Sequence, residues 1–409
     1  MKLNKKIITA LSTCALFLGT GQANAAGYSS DLYSASGLGN AYAGSVTGVH
    51  DASDLFYNPA LSVNFNKPQL VISASYLDSD IDTDNASANL SGIVPVTGND
   101  GNNGGQDGLV PALYFSTPIN DRMAFGLSIN TPFGLDTKYD QNWIGRYRAL
   151  ESSVQTLNIN PSLSYKVSNK LSVGAGFAAQ YYKATLTKAV RTLEQDAFAK
   201  TKGDDWGYGY NLGLNYQHND DLEFGLGYRS KIDHKIEGSS GIAALGLNAE
   251  ILAKTTTPES VTAGLNYKIN DDLEIAYDTT WMRWSRLQNF SAAATNPDLN
   301  DSINFKMKDS LIYSLGANYN LNSKWLLRSG LAYEKDAVTD ARREPRLPTG
   351  DRIWTTLGFN YKITDSFSID ASYVHQFHRT ETVNLAENTG DNDTNLSYRS
   401  KTTVNTYSL

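Results

Sequence analysis

From about residue 70 to the C-terminus, apolar and polar positions alternate with a period of two. Leu222, Phe224, Leu226 and Tyr228 share one parity, and Glu223, Gly225 and Gly227 the other. Tyr208, Tyr210, Leu212, Leu214 and Tyr216 oppose Gly209, Asn211, Gly213 and Asn215. Val261, Ala263, Leu265, Tyr267 and Ile269 oppose Thr262, Gly264, Asn266 and Lys268. Period two specifies strands. One face is aliphatic and aromatic; the other is small or polar.

A soluble sandwich also alternates, so the layout of the segments has to decide. Fourteen can be counted, around 70–78, 108–117, 123–131, 154–166, 171–186, 205–217, 222–236, 260–269, 273–284, 308–321, 325–335, 351–363, 367–380 and 396–409. Six short turns fall at Asn120-Asp121, Asn169-Lys170, Asn219-Asp220, Asn270-Asp271, Asn322-Ser323 and Thr364-Asp365. Seven long gaps alternate with them, at about 80–107, 132–153, 187–204, 237–259, 285–307, 336–350 and 381–395. An even-stranded meander with short turns at one end and long loops at the other is the layout of an outer-membrane barrel. In lipid, only a closed barrel leaves no strand edge unpaired. The expected fold is therefore all-β: a 14-stranded antiparallel transmembrane β-barrel. Tyr165, Tyr216, Tyr267, Tyr319 and Tyr361 each precede a short turn, and Phe177, Tyr228, Tyr277, Tyr333 and Tyr373 follow 10 to 14 residues later. That spacing fits aromatic girdles at two membrane interfaces. The chain ends on Leu409 rather than on the usual aromatic residue, although Tyr407 and Leu409 keep the outward parity.

Composition sharpens this reading. Tyr, at 24, outnumbers Phe, at 14, and Gly reaches 33. No stretch beyond the N-terminus is apolar enough for a membrane helix. Lys2, Lys5 and Lys6, then an apolar run, then Ala23-Asn24-Ala25, make residues 1–25 a signal peptide. The one cysteine, Cys14, lies within it. Without those three lysines the chain carries 32 basic against 42 acidic residues, a balance that argues against nucleic acid.

Residues 26–67 lack a long alternation and read as loop and short helix; 68–409 form the barrel. A barrel of this size has a lumen too wide for its own side chains to fill. The small residues of 26–67, with Leu38, Tyr42, Leu55, Phe56 and Leu61, suit a hatch inside that lumen. A floppy periplasmic arm is the other possibility.

Several motifs carry a family resemblance: Ala26-Gly27, Ser36-Gly37-Leu38-Gly39 with Ala41-Tyr42 and Gly44, Asn58-Pro59-Ala60-Leu61, Asp205-Trp206-Gly207-Tyr208-Gly209, Tyr228-Arg229-Ser230, Pro258-Glu259, Trp281 with Trp284-Ser285, and Asp351-Arg352 with Trp354. Across nearly the whole mature chain the sequence resembles the FadL-type long-chain fatty acid transporters of Gram-negative outer membranes. The resemblance implies a hatch-closed barrel that takes up long-chain fatty acids or related hydrophobic compounds passively. It implies capture on extracellular loops, passage to a lumenal pocket, and lateral exit at a kinked third strand. The expected setting is the cell outer membrane, amid outer-membrane lipid and lipopolysaccharide, as a monomer.

A fatty acid needs an apolar groove and one cation for its carboxylate. The family's capture groove lies between the third and fourth long loops. Here these hold Leu193 and Phe198, then Ile242, Leu245, Leu247, Ile251 and Leu252, with spacings that fit short helices. The bland reading is that such helices only pack together and cap the barrel. Lys183, Lys188, Arg191, Lys306 and Lys308 are the carboxylate candidates, each set against a role as a solvated surface charge. Lys306 and Lys308 oppose Leu311 and Tyr313 in parity and would point inward. Asn58, Pro59 and Ala60 are the candidate hatch gate, because Pro59 disfavours a helical Asn58, whose side chain can then lock a turn. Asn130 and Pro132 are the candidate strand kink; Pro161 would mark a bulge.

The five histidines have no metal-ligand spacing, and Asn99 to Gly104 lacks the distal Glu of a Ca²⁺ loop. No nucleophile motif or phosphate-binding glycine loop is present. The chain is expected to need no metal or cofactor and to be no enzyme. The alternative function is a barrel serving mainly as adhesin or phage receptor.

Overall fold

Fourteen antiparallel strands close into a barrel in the computed structural model, which describes residues 27–385 and 394–409. The expected signal peptide, with Cys14, lies outside the described residues. In chain order the strands are β1 (Gln69–Leu90), β2 (Gly108–Asn120), β3 (Met123–Asn130, resuming as Gly134–Lys138), β4 (Glu151–Lys166) and β5 (Leu171–Arg191). Next come β6 (Asp196–Gln217), β7 (Leu222–Arg229, resuming as Ile232–Ile242), β8 (Leu247–Thr257, resuming as Ser260–Lys268) and β9 (Leu273–Met282, resuming as Phe290–Ala294). The last are β10 (Ser310–Asn320, preceded by Asp301–Ile303), β11 (Trp325–Lys335), β12 (Arg352–Thr364), β13 (Phe367–His378, resuming as Glu381–Leu385) and β14 (Thr394–Ser408). Each pairs with its neighbours in sequence, and β1 pairs with β14, from Ser75 opposite Ser408 to Leu90 opposite Thr394. The ring is closed, with β3 interrupted between Asn130 and Gly134.

The short turns have a local cause. Asn219 Oδ1 accepts from the Leu222 amide at 2.7 Å, Asn270 Oδ1 from Leu273 at 2.9 Å, and Asn322 Oδ1 from Trp325 at 3.1 Å. An Asn side chain that imitates a backbone acceptor closes each turn without a long loop. The alternation sets the faces. Leu315, Leu331 and Leu357 are exposed, while Ser314, Ala332 and Thr356 are buried. An apolar face turned out and a polar face turned in is the reverse of a soluble protein, and it suits lipid.

Two expectations are corrected. The gaps at 187–204 and 237–259 are strand hairpins, not helical loops: Val190 pairs with Ala197, and Ile242 with Leu247. Only 192–195 and a turn at Ala243–Leu245 connect them, the latter ending on Gly246 with φ +65°. Helical spacing of a few apolar residues lost to cross-strand hydrogen bonding and to β-branched runs such as Thr255, Thr256 and Thr257. Pro161 marks no bulge. The β4–β5 ladder skips Asn160 and Pro161 and resumes in the same register at Ser162 opposite Gly176.

Residues 27–64 are almost wholly buried. A short helix α1 (Ala35–Leu38) is capped by Ser34, and 3-10 turns at Ala52–Phe56 and Pro59–Asn64 are capped by Asp51 and Asn58. Contacts of the segment reach strands four places apart around the barrel: Asn40 Nδ2 bonds Asn318 of β10, and Asn58 Nδ2 bonds the Leu214 carbonyl of β6. Small lumen-facing residues make the room. A Cβ on Gly225 would sit 1.9 Å from the Val46 carbonyl, and one on Gly213 would sit 2.0 Å from Asn58 Oδ1.

Candidate functional site

Strand β3 stops at Asn130 and resumes at Gly134. Pro132 has no N–H to give a ladder. Pairing of β2 with β3 begins at Leu113, so residues 108–112 have a ladder with β1 alone. The N-terminal segment occupies the inner side of this break. Ser29 bridges Phe133, the Ser30 amide donates to the Pro132 carbonyl at 3.0 Å, and the Gly134 amide donates to the Tyr28 carbonyl at 2.8 Å. The Ser30 hydroxyl also donates to the Thr131 carbonyl.

Two cavities flank that contact. The upper one is lined by Tyr28, Leu135, Val154, Tyr182, Ala184, Leu186, Leu287, Phe290, Ile303, Phe305 and Leu347. Its polar groups are Ser152, Thr255 and Arg346. The lower one is bordered by Asp31, Tyr33, Phe56, Tyr57, Pro132, Phe133, Arg229, Ile232 and Asp278, among others. Aromatic rings separate them: Tyr28 lies 5.8 Å from Phe133 and 4.9 Å from Trp284, both edge-on. Tyr28 therefore holds the partition, and it belongs to the N-terminal segment.

Arg346 is held rigidly. Its Nη1 donates to Ser152 Oγ at 2.9 Å and to the Glu151 carbonyl at 3.2 Å, and Nη2 to the Thr187 carbonyl at 3.1 Å. The loop that carries it, 336–350, folds inward under ion pairs: Arg148 with Glu344 at 3.0 Å, and Arg343 with Asp340 at 2.8 Å and Glu381 at 3.2 Å. Among the described residues, four other arginines are as buried: Arg148, Arg328, Arg343 and Arg352. Each of those has a carboxylate in contact. Arg346 has none; burial pushes its pKa down, and Asp301 and Glu344 oppose that only from a distance. A buried guanidinium bonded to neutral oxygens alone keeps its charge uncompensated. Beside an apolar cavity, it can receive one anionic group.

The candidates from sequence fall elsewhere. None of Lys183, Lys188, Arg191, Lys306 and Lys308 lines either cavity. Lys183 and Arg191 are exposed, and Lys188 is bound to Asp301 at 2.8 Å. Lys306 and Lys308 do not point inward but are exposed, because Lys306 adopts φ +43° and the strand alternation stops there; Met307 is the buried one. The apolar set divides by strand parity. Ile242 is buried with Ala197, Ala249 and Leu299, and Ile251 is buried in the larger cluster around the upper cavity. Leu193, Phe198, Leu245 and Leu252 are exposed, and Leu247 is half-buried. Asn58, Pro59 and Ala60 pack against Gly174 of β5 and Gly213 of β6, away from Asn130 and Pro132. Arg346 and the cavity lining escaped sequence reading. One signal was present: Tyr182, Ala184 and Leu186 are apolar on the parity that elsewhere carries Gly and Asn.

Asp31 ties the N-terminal segment to the barrel. Its Oδ2 lies 3.3 Å from Arg352 Nη2, and Ser29 Oγ donates to its Oδ1 at 3.0 Å. Burial first, then the charge of Glu334, push its pKa from 3.8 up to about 7, against the pull of Arg352. A raised folded-state pKa means that the docked segment binds a proton the released one gives up. Docking is therefore favoured at low pH, and this contribution is lost as pH rises from 3.8 to about 7. Proteolysis near residues 28–35 should be faster at neutral than at mildly acid pH. In Asp31→Asn that pH dependence should vanish; if it persists, another group sets it.

A family described as outer membrane protein transport protein (OMPP1/FadL/TodX) matches residues 16–409. The chain is 29% identical to a long-chain fatty acid transport protein of Escherichia coli O6:H1, over 90% of each chain. It is 29% identical to outer membrane protein P1 of Haemophilus influenzae, over 99% of this chain and 98% of the other. The crystal structure of a Pseudomonas aeruginosa FadL homologue superposes with a TM-score of 0.87 at 25% identity, covering 94% of this chain and 98% of that one.

Proposed function

Because this chain belongs to the OMPP1/FadL/TodX family of outer membrane transport proteins, we propose that the hydrophobic substrate it carries is a long-chain fatty acid, released sideways past an N-terminal hatch. The family places it in the Gram-negative outer membrane as a carrier of hydrophobic compounds, not an enzyme. Residues 27–64 act as the hatch. The observation that carries the substrate reading is Arg346: a buried cation, with no carboxylate in contact among the described residues, at the wall of an apolar cavity. A neutral hydrocarbon would leave that charge uncompensated; an alkyl carboxylate fills the cavity and neutralises it. The names of the relatives from Escherichia coli agree with this choice.

In this mechanism the tail enters the upper cavity and the carboxylate meets Arg346. Tyr28 blocks the way down, so the segment around Ser29 and Ser30 must shift. Its bonds to 131–134 are few and can be exchanged for water, unlike the barrel ladder. Movement joins the two cavities and frees the break in β3, whose unpaired edge opens toward lipid. No energy source is required, because the ligand runs down its own gradient.

A reversible lock tests this. Ser29 and Phe133 are bridged across the break, and the only natural cysteine lies in the signal peptide. The double variant Ser29→Cys/Phe133→Cys should lose uptake of labelled oleate when oxidised and regain it on reduction. Undiminished uptake by the fully oxidised protein would show that the segment need not leave the break, and the gating reading would be wrong.

A further inference from the structure

The lower cavity contains a second cation, half-buried where Arg346 is fully buried, and like Arg346 without a carboxylate in contact among the described residues. Arg229 ends the first part of β7 and faces the cavity. Its Nη1 donates to the Phe56 carbonyl at 2.9 Å and to Asn160 Oδ1 at 3.5 Å. Its guanidinium carbon lies 4.2 Å from the centre of the Phe56 ring. Among the described residues, Nε and Nη2 have no hydrogen-bond partner and no carboxylate is in ion-pair contact. Two carboxylates share the cavity, and neither is in ion-pair contact with Arg229. Asp31 contacts Arg352, and Asp278 Oδ2 accepts from Ser45 Oγ at 2.7 Å and from the Val46 amide at 3.3 Å.

Pro132 and Phe133, at the break in β3, line this same cavity. Tyr28, Phe133 and Trp284 form the partition toward Arg346. A half-buried guanidinium with two free nitrogens beside aromatic walls, and with no carboxylate in contact among the described residues, has donors left for an anionic group. A neutral side chain would bond the Phe56 carbonyl at lower cost.

We propose that Arg229 is a second carboxylate station, which receives the head group of an ionised alkyl carboxylate leaving Arg346 before its tail enters the break in β3. The inference rests on the fatty acid reading above. Two stations of like charge divide one long transfer of a carboxylate through an apolar lumen into two shorter ones. The anion is then compensated on either side of the partition. The lower station also selects: a neutral hydrocarbon or alcohol gains nothing from it, so ionised ligands are favoured at exit as well as at capture.

The rival explanation is mechanical, with Arg229 only pinning the N-terminal segment through Phe56. Uptake of labelled oleate and of oleyl alcohol, which share a tail and differ in charge, separates the two. Cells with equal surface levels of wild type, Arg229→Gln, Arg229→Lys and Arg346→Gln would be compared. The proposal expects Arg229→Gln to slow oleate about tenfold, the order of one charge-assisted hydrogen bond. Oleyl alcohol should be unaffected, and Arg229→Lys should recover part of the oleate rate. Equal slowing of both ligands, or slowing of neither, would overturn the second station. If Arg346→Gln also fails to distinguish oleate from the alcohol, the fatty acid reading itself is at fault; if Arg346→Gln does distinguish them, only the second station falls.

Discussion

Arg346→Gln is expected to weaken oleate binding to the purified protein by about tenfold to a hundredfold, the loss associated with a hydrogen bond to a charged group. Binding of oleyl alcohol should change little. The reason lies in what surrounds the guanidinium: three neutral oxygens, an apolar wall, and no carboxylate in contact among the described residues. Gln keeps much of the length and can still donate to Ser152 Oγ, so the upper cavity should persist. Only the charge is removed. The control is Arg148→Gln, which breaks the ion pair with Glu344 at 3.0 Å and loosens the loop without touching the cavity wall. If Arg148→Gln lowers oleate affinity as much as Arg346→Gln, loop position rather than charge sets binding. If Arg346→Gln binds oleate as wild type does, the carboxylate sits elsewhere.

The second large effect is expected at Asn58. Its side chain is wholly buried and makes three bonds: Nδ2 to the Val46 carbonyl at 2.7 Å, Nδ2 to the Leu214 carbonyl at 3.0 Å, and Oδ1 from the Ala60 amide at 3.0 Å. One bond folds the turn, one holds an earlier stretch of the segment at Val46, and one fastens the segment to β6. Asn58→Ala leaves the Val46 carbonyl and the Ala60 amide without this partner, at about 1–3 kcal/mol each, and removes the anchor to β6. Leu214 keeps its place in the β5–β6 ladder, opposite Val173, so the barrel should retain heat-modifiable mobility on gels. The N-terminal segment should become sensitive to protease, and oleate uptake should fall strongly at equal surface level. Normal uptake with a protease-resistant segment would reduce Asn58-Pro59 to a folding turn. Asn58 lies against β5 and β6, not beside the break in β3. Any effect on the break must therefore pass along the segment to Ser29 and Ser30.

Much of the architecture was legible along the chain because a lipid-facing barrel writes its two faces residue by residue. Leu315, Leu331 and Leu357 had to be apolar to face lipid, and Asn219, Asn270 and Asn322 had to close tight turns. Each is a local requirement, so strand number, turn position and outward parity follow from sequence alone. The N-terminal segment was legible as different for the same reason: it lacks the alternation. Strand length was not legible at 187–204 or 237–259, since pairing with a distant neighbour extends a strand without leaving a periodic mark.

The site belongs to the tertiary structure. Arg346 is one of several arginines in the 336–350 loop, and sequence offers no sign that Arg343 is neutralised by Glu381 while Arg346 meets no carboxylate among the described residues. Lys306 and Lys308 failed as inward candidates because one residue with positive φ ends the parity on which the inference depended. Charge compensation is a pairwise quantity between residues tens to hundreds apart in the chain. The chain alone determined which faces meet lipid and which meet the lumen. Only closure of the barrel around the N-terminal segment decided which cations were left without an anion, because that depends on distances no local pattern encodes.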